Sequence, residues 1–126
     1  MRKTREANCP FCADQNGVLR NKLAYARADN FAVSAGHMLI IPYRHVASFF
    51  ALTSPERQAM MDLLVKAPEF VEQKHRPDGY NIGINVGEAA GQTIAHVHIH
   101  LIPRYKGDVP NPRGGVRGVI PGKQDY

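Results

Sequence analysis

The chain has 126 residues, of which 44% are hydrophobic and 21% are charged, and this composition indicates one globular domain over residues 1–126. Its net charge of +5 favours an anionic ligand, but the basic residues are dispersed except for two small groups, Arg2, Lys3, Arg5 and Arg113, Arg117, Lys123. That dispersal argues against nucleic-acid binding. Without a long apolar run or a secretory signal, we expect a cytoplasmic protein with no membrane span.

The first motif along the chain is the cysteine pair of "CPFC", Cys9 and Cys12. In a cytoplasmic protein such a pair is typical of a metal site or a redox centre rather than of a structural disulfide. A redox pair normally follows an apolar strand, and none precedes this one. A metal site is therefore favoured, although two cysteines supply only half of its ligands.

The central part of the chain predicts short strands and one long helix. Short β-like segments lie within residues 18–29, and "NFAVSAGHMLIIP" predicts a strand that ends at Pro42. The segment "TSPERQAMMDLLVKAPEFVEQKH" predicts the helix, with Thr53 or Ser54 as N-cap and Pro55 in the first turn. Pro68 is expected to kink this helix or to divide it in two.

Two further strands are predicted after the helix. In "YNIGINVG" the residues Asn81, Gly83 and Asn85 share one small, polar face, against which another group is expected to lie. The Gly-rich loop "GEAAGQT" leads into the last strand, "TIAHVHIHLIPRY". The whole pattern predicts an α+β fold, and the Pro- and Gly-rich residues 107–126 predict an irregular C-terminal extension.

The last strand carries half of the six histidines, because His96, His98 and His100 alternate with apolar residues and so share one face. A solvated polar face would not require histidine three times. Neighbouring histidines can instead hold a zinc ion, or one can act as a nucleophile whose neighbours orient it and carry protons. The preceding "AGQT" offers N–H groups to a phosphate, and imidazole is a competent nucleophile at phosphorus, so the second interpretation is favoured.

These motifs resemble the histidine-triad family. "HVHIHLI" is similar to the family signature, H-x-H-x-H followed by two apolar residues, and "NVGEAAGQTIA" and "AGHMLIIPYRHV" resemble two further motifs in the expected order. The resemblance extends from about Cys9 to Asp108. It implies a five-stranded antiparallel sheet with one long helix and short helices, a homodimer, and reaction at the α-phosphate of a nucleotide through a nucleotidyl-histidine intermediate.

The resemblance also implies roles for individual residues. His98 would be the nucleophile, His100 would bond the phosphate or the leaving group, and His37 would support the histidine cluster. The phosphate or leaving group would contact Gly91, Gln92 and Thr93, while Asp29 would bind the ribose and Asn85 the nucleotide. We also place Phe31 near the ligand. The transferase branch has Gln at the position of His100, so this sequence favours hydrolysis.

The resemblance assigns partners to the two cysteines as well. Some bacterial members of the family bind zinc through a C-x-x-C pair, a histidine after the "IP" segment and the first histidine of the triad, here Cys9, Cys12, His45 and His96. Four protein ligands make a closed, structural site, which would hold His96 rigidly beside the nucleophile. The alternative for His45 is that it caps a turn at the surface.

The sequence therefore predicts hydrolysis of a purine nucleotide conjugate, either a nucleoside phosphoramidate or a dinucleoside polyphosphate. A first alternative is a zinc-dependent phosphohydrolase with the triad histidines as metal ligands. A second is a nucleotide-binding or interaction protein without turnover. For Arg113 and Arg117 the sequence leaves open contacts with further phosphates, contacts with a partner subunit, or a solvated tail.

Overall fold

A computed structural model describes residue 6 and residues 8–126, so Arg2, Lys3 and Arg5 lie outside the described residues. One antiparallel sheet has the strand order β1-β2-β3-β5-β4, formed by β1 (Leu19–Arg20), β2 (Ala24–Ala28), β3 (Met38–Pro42), β4 (Gly79–Ile84) and β5 (Ile99–Arg104). The described helices are α1 (Pro10–Ala13), the long α2 (Ser54–Glu72) and 3-10 turns at Phe49–Ala51, Glu88–Ala90 and Gly115–Val119. This architecture confirms the predicted α+β fold.

The long helix begins at a capping box. The Thr53 side chain accepts a hydrogen bond from the Glu56 backbone N–H at 3.2 Å, and the Glu56 carboxylate accepts one from the Thr53 N–H at 2.9 Å. Pro68 lies inside one continuous helix, so the expectation that it divides the helix is wrong, and a kink at Pro68 stays a prediction. The lost hydrogen bond costs about 3 kcal/mol, and the apolar face that the helix buries on both sides of Pro68 offsets it: Met60, Leu63, Ala67 and Val71. No helix in the described part of the chain has the length and apolarity that a membrane span needs.

One face of the sheet packs against α2 and forms the main core. Val97, Ile99 and Leu101 are almost completely buried there, as their alternation with the histidines predicts. The sheet contributes Ala24, Ala26, Met38 and Ile40 to the same core. This burial fixes which side of the last strand faces the helix, and it turns the alternating histidines to the opposite side.

The opposite face of the sheet has a cover at each end. Near β2 and β3, the N-terminal segment packs Phe11 and the two cysteines against Tyr25 and Ile41. Near β4, the C-terminal extension returns to the sheet and places Gly115 beside Asn81. The sheet is open between these covers, in the region where the strand pairing places Leu39, His100 and Gly83 side by side.

Two strands begin later than the sequence predicts. Residues 30–37 form a turn before β3, which Gly36 permits with a φ of 90° and which a backbone bond from Asp29 N–H to the His37 carbonyl closes. The last strand begins at Ile99, because the Val97 N–H donates to the Val46 carbonyl outside the sheet. His96 and His98 consequently lie in an extended segment before β5, where His96 turns towards the N-terminal segment.

Candidate active site and metal centre

The open part of the sheet face holds a cavity of about 340 Å³. It brings together seven of the residues that the sequence analysis assigns to catalysis or substrate binding: His98, His100, Asp29, Phe31, Asn85, Gly91 and Thr93. Phe11, Leu39 and Ile94 complete the lining and are absent from the sequence-based assignment. They are ordinary apolar residues, and only the fold brings them to the cavity.

The bonding of His98 defines which of its nitrogens can react. Its Nδ1 lies 2.9 Å from the His96 backbone carbonyl, which can only accept a hydrogen bond. We therefore assign the proton of the neutral ring to Nδ1, which leaves the lone pair on Nε2. Phe11 and His100 hold the ring by edge contacts, with centroids 5.0 and 4.9 Å away. His98 thus lines the cavity in a fixed orientation, with the lone pair of its ring on Nε2.

A chain of hydrogen bonds orients His100 in the same way. The Val33 N–H donates to His37 Nδ1 at 3.1 Å, so the proton of neutral His37 lies on Nε2. That Nε2 is 3.0 Å from His100 Nδ1 and 3.3 Å from an Asp29 carboxylate oxygen. When His37 donates to His100, the proton of His100 must lie on its own Nε2. His100 then presents an N–H donor to an anion in the cavity.

The electrostatics of the cluster keep these two histidines neutral. Burial, together with the neighbouring His98 and His37, lowers the pKa of His100 to about 4 against the opposing effect of Asp29. Burial also lowers the pKa of His37, against the opposing effect of Asp29. At neutral pH the pair is therefore a set of oriented N–H donors rather than a pair of imidazolium ions.

The loop between β4 and the histidine segment forms the wall of the cavity at Gly91 and Thr93. Gly87 and Gly91 both have positive φ, 92° and 89°, on either side of the turn Glu88–Ala90. Glycine adopts this backbone conformation without the steric cost that a Cβ would bring. The Gly-rich composition of the loop thus allows a tight wall beside the histidines.

The structure does not bring the side chain of Gln92 into the cavity. Its carbonyl oxygen accepts from the Gly87 N–H at 2.9 Å, and its amide nitrogen donates to the carbonyls of Ala47 and Ile94 at 2.8 and 3.0 Å. Gln92 therefore braces the loop from behind. A direct contact between Gln92 and phosphate stays a prediction.

Asp29 and Phe31 stand at the mouth of the cavity, at the end of β2. One Asp29 oxygen accepts from the Phe31 N–H at 2.9 Å, and the other faces His37. The Phe31 side chain is 88% exposed, so it can contact a ligand without any rearrangement of the core. The nucleotide-binding roles of these two residues stay predictions.

The four predicted metal ligands converge behind the histidine segment. In the "CPFC" turn the Cys12 and Ala13 N–H groups both donate to the Cys9 carbonyl, which brings the two thiols to the same side. Cys9 Sγ is 3.4 Å from His96 Nδ1, Cys12 Sγ is 3.3 Å from His45 Nδ1, and the two Nδ1 atoms are 3.2 Å apart. All four ligand atoms lie within 4.8 Å of one another.

The chemistry of His96 fits a metal ligand. Its Nε2 donates to the Pro42 carbonyl at 2.8 Å, so its lone pair is on Nδ1 and points at the sulfurs. A tetrahedral zinc ion with two sulfur and two nitrogen ligands separates the ligand atoms by roughly 3.3–3.8 Å. Burial raises the pKa of the Cys9 thiol, a cost that a bound cation would offset. These residues could therefore hold a metal in a closed, structural site.

The two arginines of the extension lie away from both the cavity and the metal centre. Arg113 and Arg117 stack on the Tyr126 ring at 5.0 and 4.7 Å from its centroid. Arg113 also pairs with Asp125 at 3.7 Å. Their contacts are thus within the extension, and a role in binding phosphate or a partner subunit stays a prediction.

Comparison with known proteins gives relatives that carry the same domain. The HIT domain model matches residues 12–107. The chain is 37% identical over 102 residues to AP-4-A phosphorylase from Mycobacterium tuberculosis, which covers 79% of this chain and 52% of that protein. It is 34% identical over 97 residues to bis(5'-adenosyl)-triphosphatase from Saccharomyces cerevisiae, covering 76% and 47%. The chain spans about half the length of these curated relatives.

Solved structures agree with this assignment. A HIT family protein from Bacillus anthracis has a TM-score of 0.72 at 36% identity, covering 78% of this chain and 74% of that one. A Zn-bound histidine triad family protein from Mycobacterium smegmatis has a TM-score of 0.71 at 29% identity, covering 80% and 78%. The resemblance seen in the sequence motifs is confirmed, and the chain belongs to the HIT domain family.

Proposed function

We propose that this protein cleaves adenine dinucleoside polyphosphates at the α-phosphate through a covalent nucleotidyl intermediate on His98. The observation that carries the proposal is the hydrogen bond from His98 Nδ1 to the His96 carbonyl, which leaves the lone pair on Nε2 of a histidine that lines the cavity. The cavity of about 340 Å³ lies within the range of sites for nucleotide-sized ligands. Two relatives, an AP-4-A phosphorylase and a bis(5'-adenosyl)-triphosphatase, support the same class of substrate.

The reaction proceeds in two substitutions at phosphorus. His98 Nε2 attacks, a P–N bond forms, and the P–O bond to the leaving phosphate breaks with its electron pair on that oxygen. The positive charge on the imidazole is shared with Nδ1–H, which stays bonded to the His96 carbonyl. Water, the proposed acceptor, then attacks the same phosphorus and releases a proton to solvent; the P–N bond breaks with its electron pair on Nε2, and His98 returns to its neutral form.

The neighbouring residues hold the phosphate during both steps. The His100 N–H, oriented through His37, stabilises the charge on phosphate oxygens. Thr93 and the backbone at Gly91 complete the wall around the phosphate. Asp29 binds the ribose and Phe31 contacts the base, while Gln92 positions the loop. This arrangement also accommodates nucleoside phosphoramidates, whose leaving group is an amine.

The acceptor in the second step distinguishes two activities. A phosphorylase uses inorganic phosphate, whereas a triphosphatase uses water, and the two curated relatives carry one name each. We propose water for this chain, because His100 occupies the position where a transferase would have Gln. With diadenosine tetraphosphate as substrate, water yields AMP and ATP, whereas phosphate yields ADP and ATP.

The test compares the parent protein with a His98→Ala variant, using diadenosine tetraphosphate with and without phosphate. Products are separated by anion exchange, and a quench without acid preserves a nucleotidyl adduct for mass spectrometry. The parent should form the adduct, and His98→Ala should lose it together with roughly 10³-fold or more in rate. His75→Ala, at an exposed histidine after α2, is the matched control. A variant as fast as the parent would refute the covalent mechanism, and AMP binding without turnover would favour the non-catalytic alternative.

We also propose that Cys9, Cys12, His45 and His96 bind a structural zinc ion. The donor set, the spacing and the lone pair of His96 support this assignment, as does the Zn-bound relative from M. smegmatis. Bound there, zinc supplies rigidity to the segment before His98. Its presence is tested by metal analysis of the purified protein, and ligand substitution should abolish it.

A second candidate function follows from another group of ligand atoms. Asp29, His37 and His100 offer three such atoms within 4.8 Å, which is the geometry that a zinc-dependent phosphohydrolase would need. The 3.0 Å contact between two histidine nitrogens is equally that of a hydrogen bond, so the covalent mechanism remains our first proposal. A chelator that stops turnover while the Cys/His centre keeps its zinc would favour this second function.

We further propose that the protein is a homodimer joined through β4. This strand is at the edge of the sheet, and Ile82 on it is 49% exposed. An edge strand with an exposed apolar side chain is suited to pairing with a second copy. Light scattering should give the mass of a dimer for the parent and a lower mass for Ile82→Lys.

A further inference from the structure

A second cavity, of about 700 Å³, adjoins the first and shares His100 and Asn85 with it. Its floor is the open sheet face, with Asn81, Gly83 and Arg104. Its opposite wall is the C-terminal extension, which contributes Val109, Gly115, Val116, Gly118, Val119 and Gln124. The extension thus encloses space directly beside a histidine of the proposed active site.

The extension is a folded unit fixed to the sheet. Gln124 lies against Gly114 and Gly118, where an added methyl group would clash with it, and its amide donates to the Asn111 carbonyl at 3.2 Å. At its base, Arg104 pairs with Asp108 at 2.8 Å. The HIT domain model matches residues 12–107, so this wall lies outside the matched segment.

The lining of the second cavity combines apolar side chains, among them the extension's Val109, Val116 and Val119, with polar ones such as His37 and Asn111. Val116 and Val119 are 57% and 75% exposed, and Ile102 and Val109 lie in the same lining. The one guanidinium in the lining, that of Arg104, is already paired with Asp108 and bonded to Asn81 at 2.6 Å. The exposed valines of the extension therefore offer an apolar surface on which an aromatic group can pack, while polar residues such as His100 and Asn85 line the same cavity.

The floor is open at the point nearest to His100. Gly83 lies directly opposite His100 in the pairing of β4 and β5, and a methyl group added there would meet nothing within 4 Å. The φ of Gly83 is not positive, so the absence of a side chain is not required by the backbone. The sequence predicts that another group lies against the face of Asn81, Gly83 and Asn85. The extension covers this face at Asn81 but leaves the space over Gly83 open.

From this arrangement we propose that the C-terminal extension forms the binding site for the leaving group and selects conjugates whose leaving group carries a second nucleoside. The inference rests on the proposed function, in which His98 reacts in the first cavity and His100 bonds the departing group. The leaving group then emerges on the His100 side, into the second cavity. A second base packs against Val116 and Val119 there, and an ammonia-sized leaving group makes no such contact.

The test is the ratio of kcat/KM for diadenosine tetraphosphate to kcat/KM for adenosine 5'-phosphoramidate. Val116→Asp and Val119→Asp place a charge in the wall, and Gly83→Val fills the floor independently of the extension. Each variant should lower the ratio by about tenfold, the order of effect that a changed apolar contact has on specificity. Val65→Asp, on the exposed face of α2 where Val65 is 76% exposed, is the matched control and should leave the ratio unchanged.

The outcomes separate this inference from the proposed function. A parent that cleaves neither substrate refutes both. A parent that cleaves both, with a ratio that none of the three variants changes, refutes only the leaving-group site. Variants that alter the oligomeric mass at an unchanged ratio also refute it, and they identify the cavity as an interface between copies of the chain. A lowered ratio at unchanged mass supports it.

Discussion

The bond from His37 to His100 can be tested by removing its donor and then restoring it. His37 is 3% exposed; it lines the second cavity but not the first, so it acts on the reacting phosphate through His100. His37→Ala removes the Nε2–H donor, whereas His37→Gln retains an amide N–H close to the same place. We therefore expect His37 to be a positioning residue, whose loss is largely repaired by glutamine.

The size of the effect follows from the bond that is lost. Without His37 the buried Nδ1 of His100 has no donor, and an unsatisfied buried acceptor costs about 1–3 kcal/mol. His100 can regain that energy by moving its own proton to Nδ1, but this tautomer no longer offers N–H to the phosphate. Loss of the oriented donor should lower kcat/KM by roughly 5- to 150-fold, at 1.36 kcal/mol for each factor of ten.

The assay is AMP release from diadenosine tetraphosphate for the parent and the two variants at equal folded concentration. His37→Gln should retain kcat/KM within about fivefold of the parent and exceed His37→Ala by about tenfold. Both variants lose His37 Nδ1, the acceptor for the Val33 N–H. Thermal unfolding of the two variants will measure this shared loss of stability separately from the change in kcat/KM. Equal impairment of the two variants, or full activity of His37→Ala, would refute the hydrogen-bond argument.

Three further predictions concern the metal centre, the helix and pH. Cys12→Ser should reduce bound zinc to well below one equivalent and lower the unfolding temperature, as metal analysis and calorimetry will show; an unchanged zinc content would exclude this ligand set. Thr53→Ala removes one side of the capping box and should cost about 1 kcal/mol in urea unfolding, with AMP release unaffected. His37 and His100 have pKa values below the ordinary 6.5, so the unfolded chain binds more protons. Their contribution to stability is therefore complete above pH 6.5 and is lost as the pH falls towards 4. The urea concentration at the unfolding midpoint should decline over that range in the parent. The decline should be less steep in His100→Gln, which lacks one of the two histidines.

Much of the site could be predicted because its information is local. Alternation along the chain fixes the faces of the last strand, and the burial of Val97 and Ile99 against the helix makes any other register costly. The ligand types of the metal centre are equally local, since the "CPFC" turn itself brings two sulfurs together. The partners of that pair became predictable only through the family resemblance.

The remaining features depend on contacts that no local pattern contains. Gln92 has the chemistry of a phosphate ligand, yet three backbone groups of its own loop and of residue 47 bind its amide. Pro68 would break an isolated helix, but the packed face on either side keeps α2 continuous. The extension has the composition of a loop, and only the fold brings its valines to a cavity that His100 also lines.

The three histidines of the segment are not equivalent, because each has a different partner that fixes its proton. The Pro42 carbonyl on β3 holds the proton of His96 on Nε2 and so directs its lone pair to the cysteines. The His96 carbonyl holds the proton of His98 on Nδ1 and leaves its lone pair on Nε2. One residue thus faces the metal centre with its side chain and orients the proposed nucleophile with its backbone. A metal bound to the His96 ring would therefore also fix the His96 carbonyl that orients His98. In this way the proposed structural metal would support the chemistry two residues away.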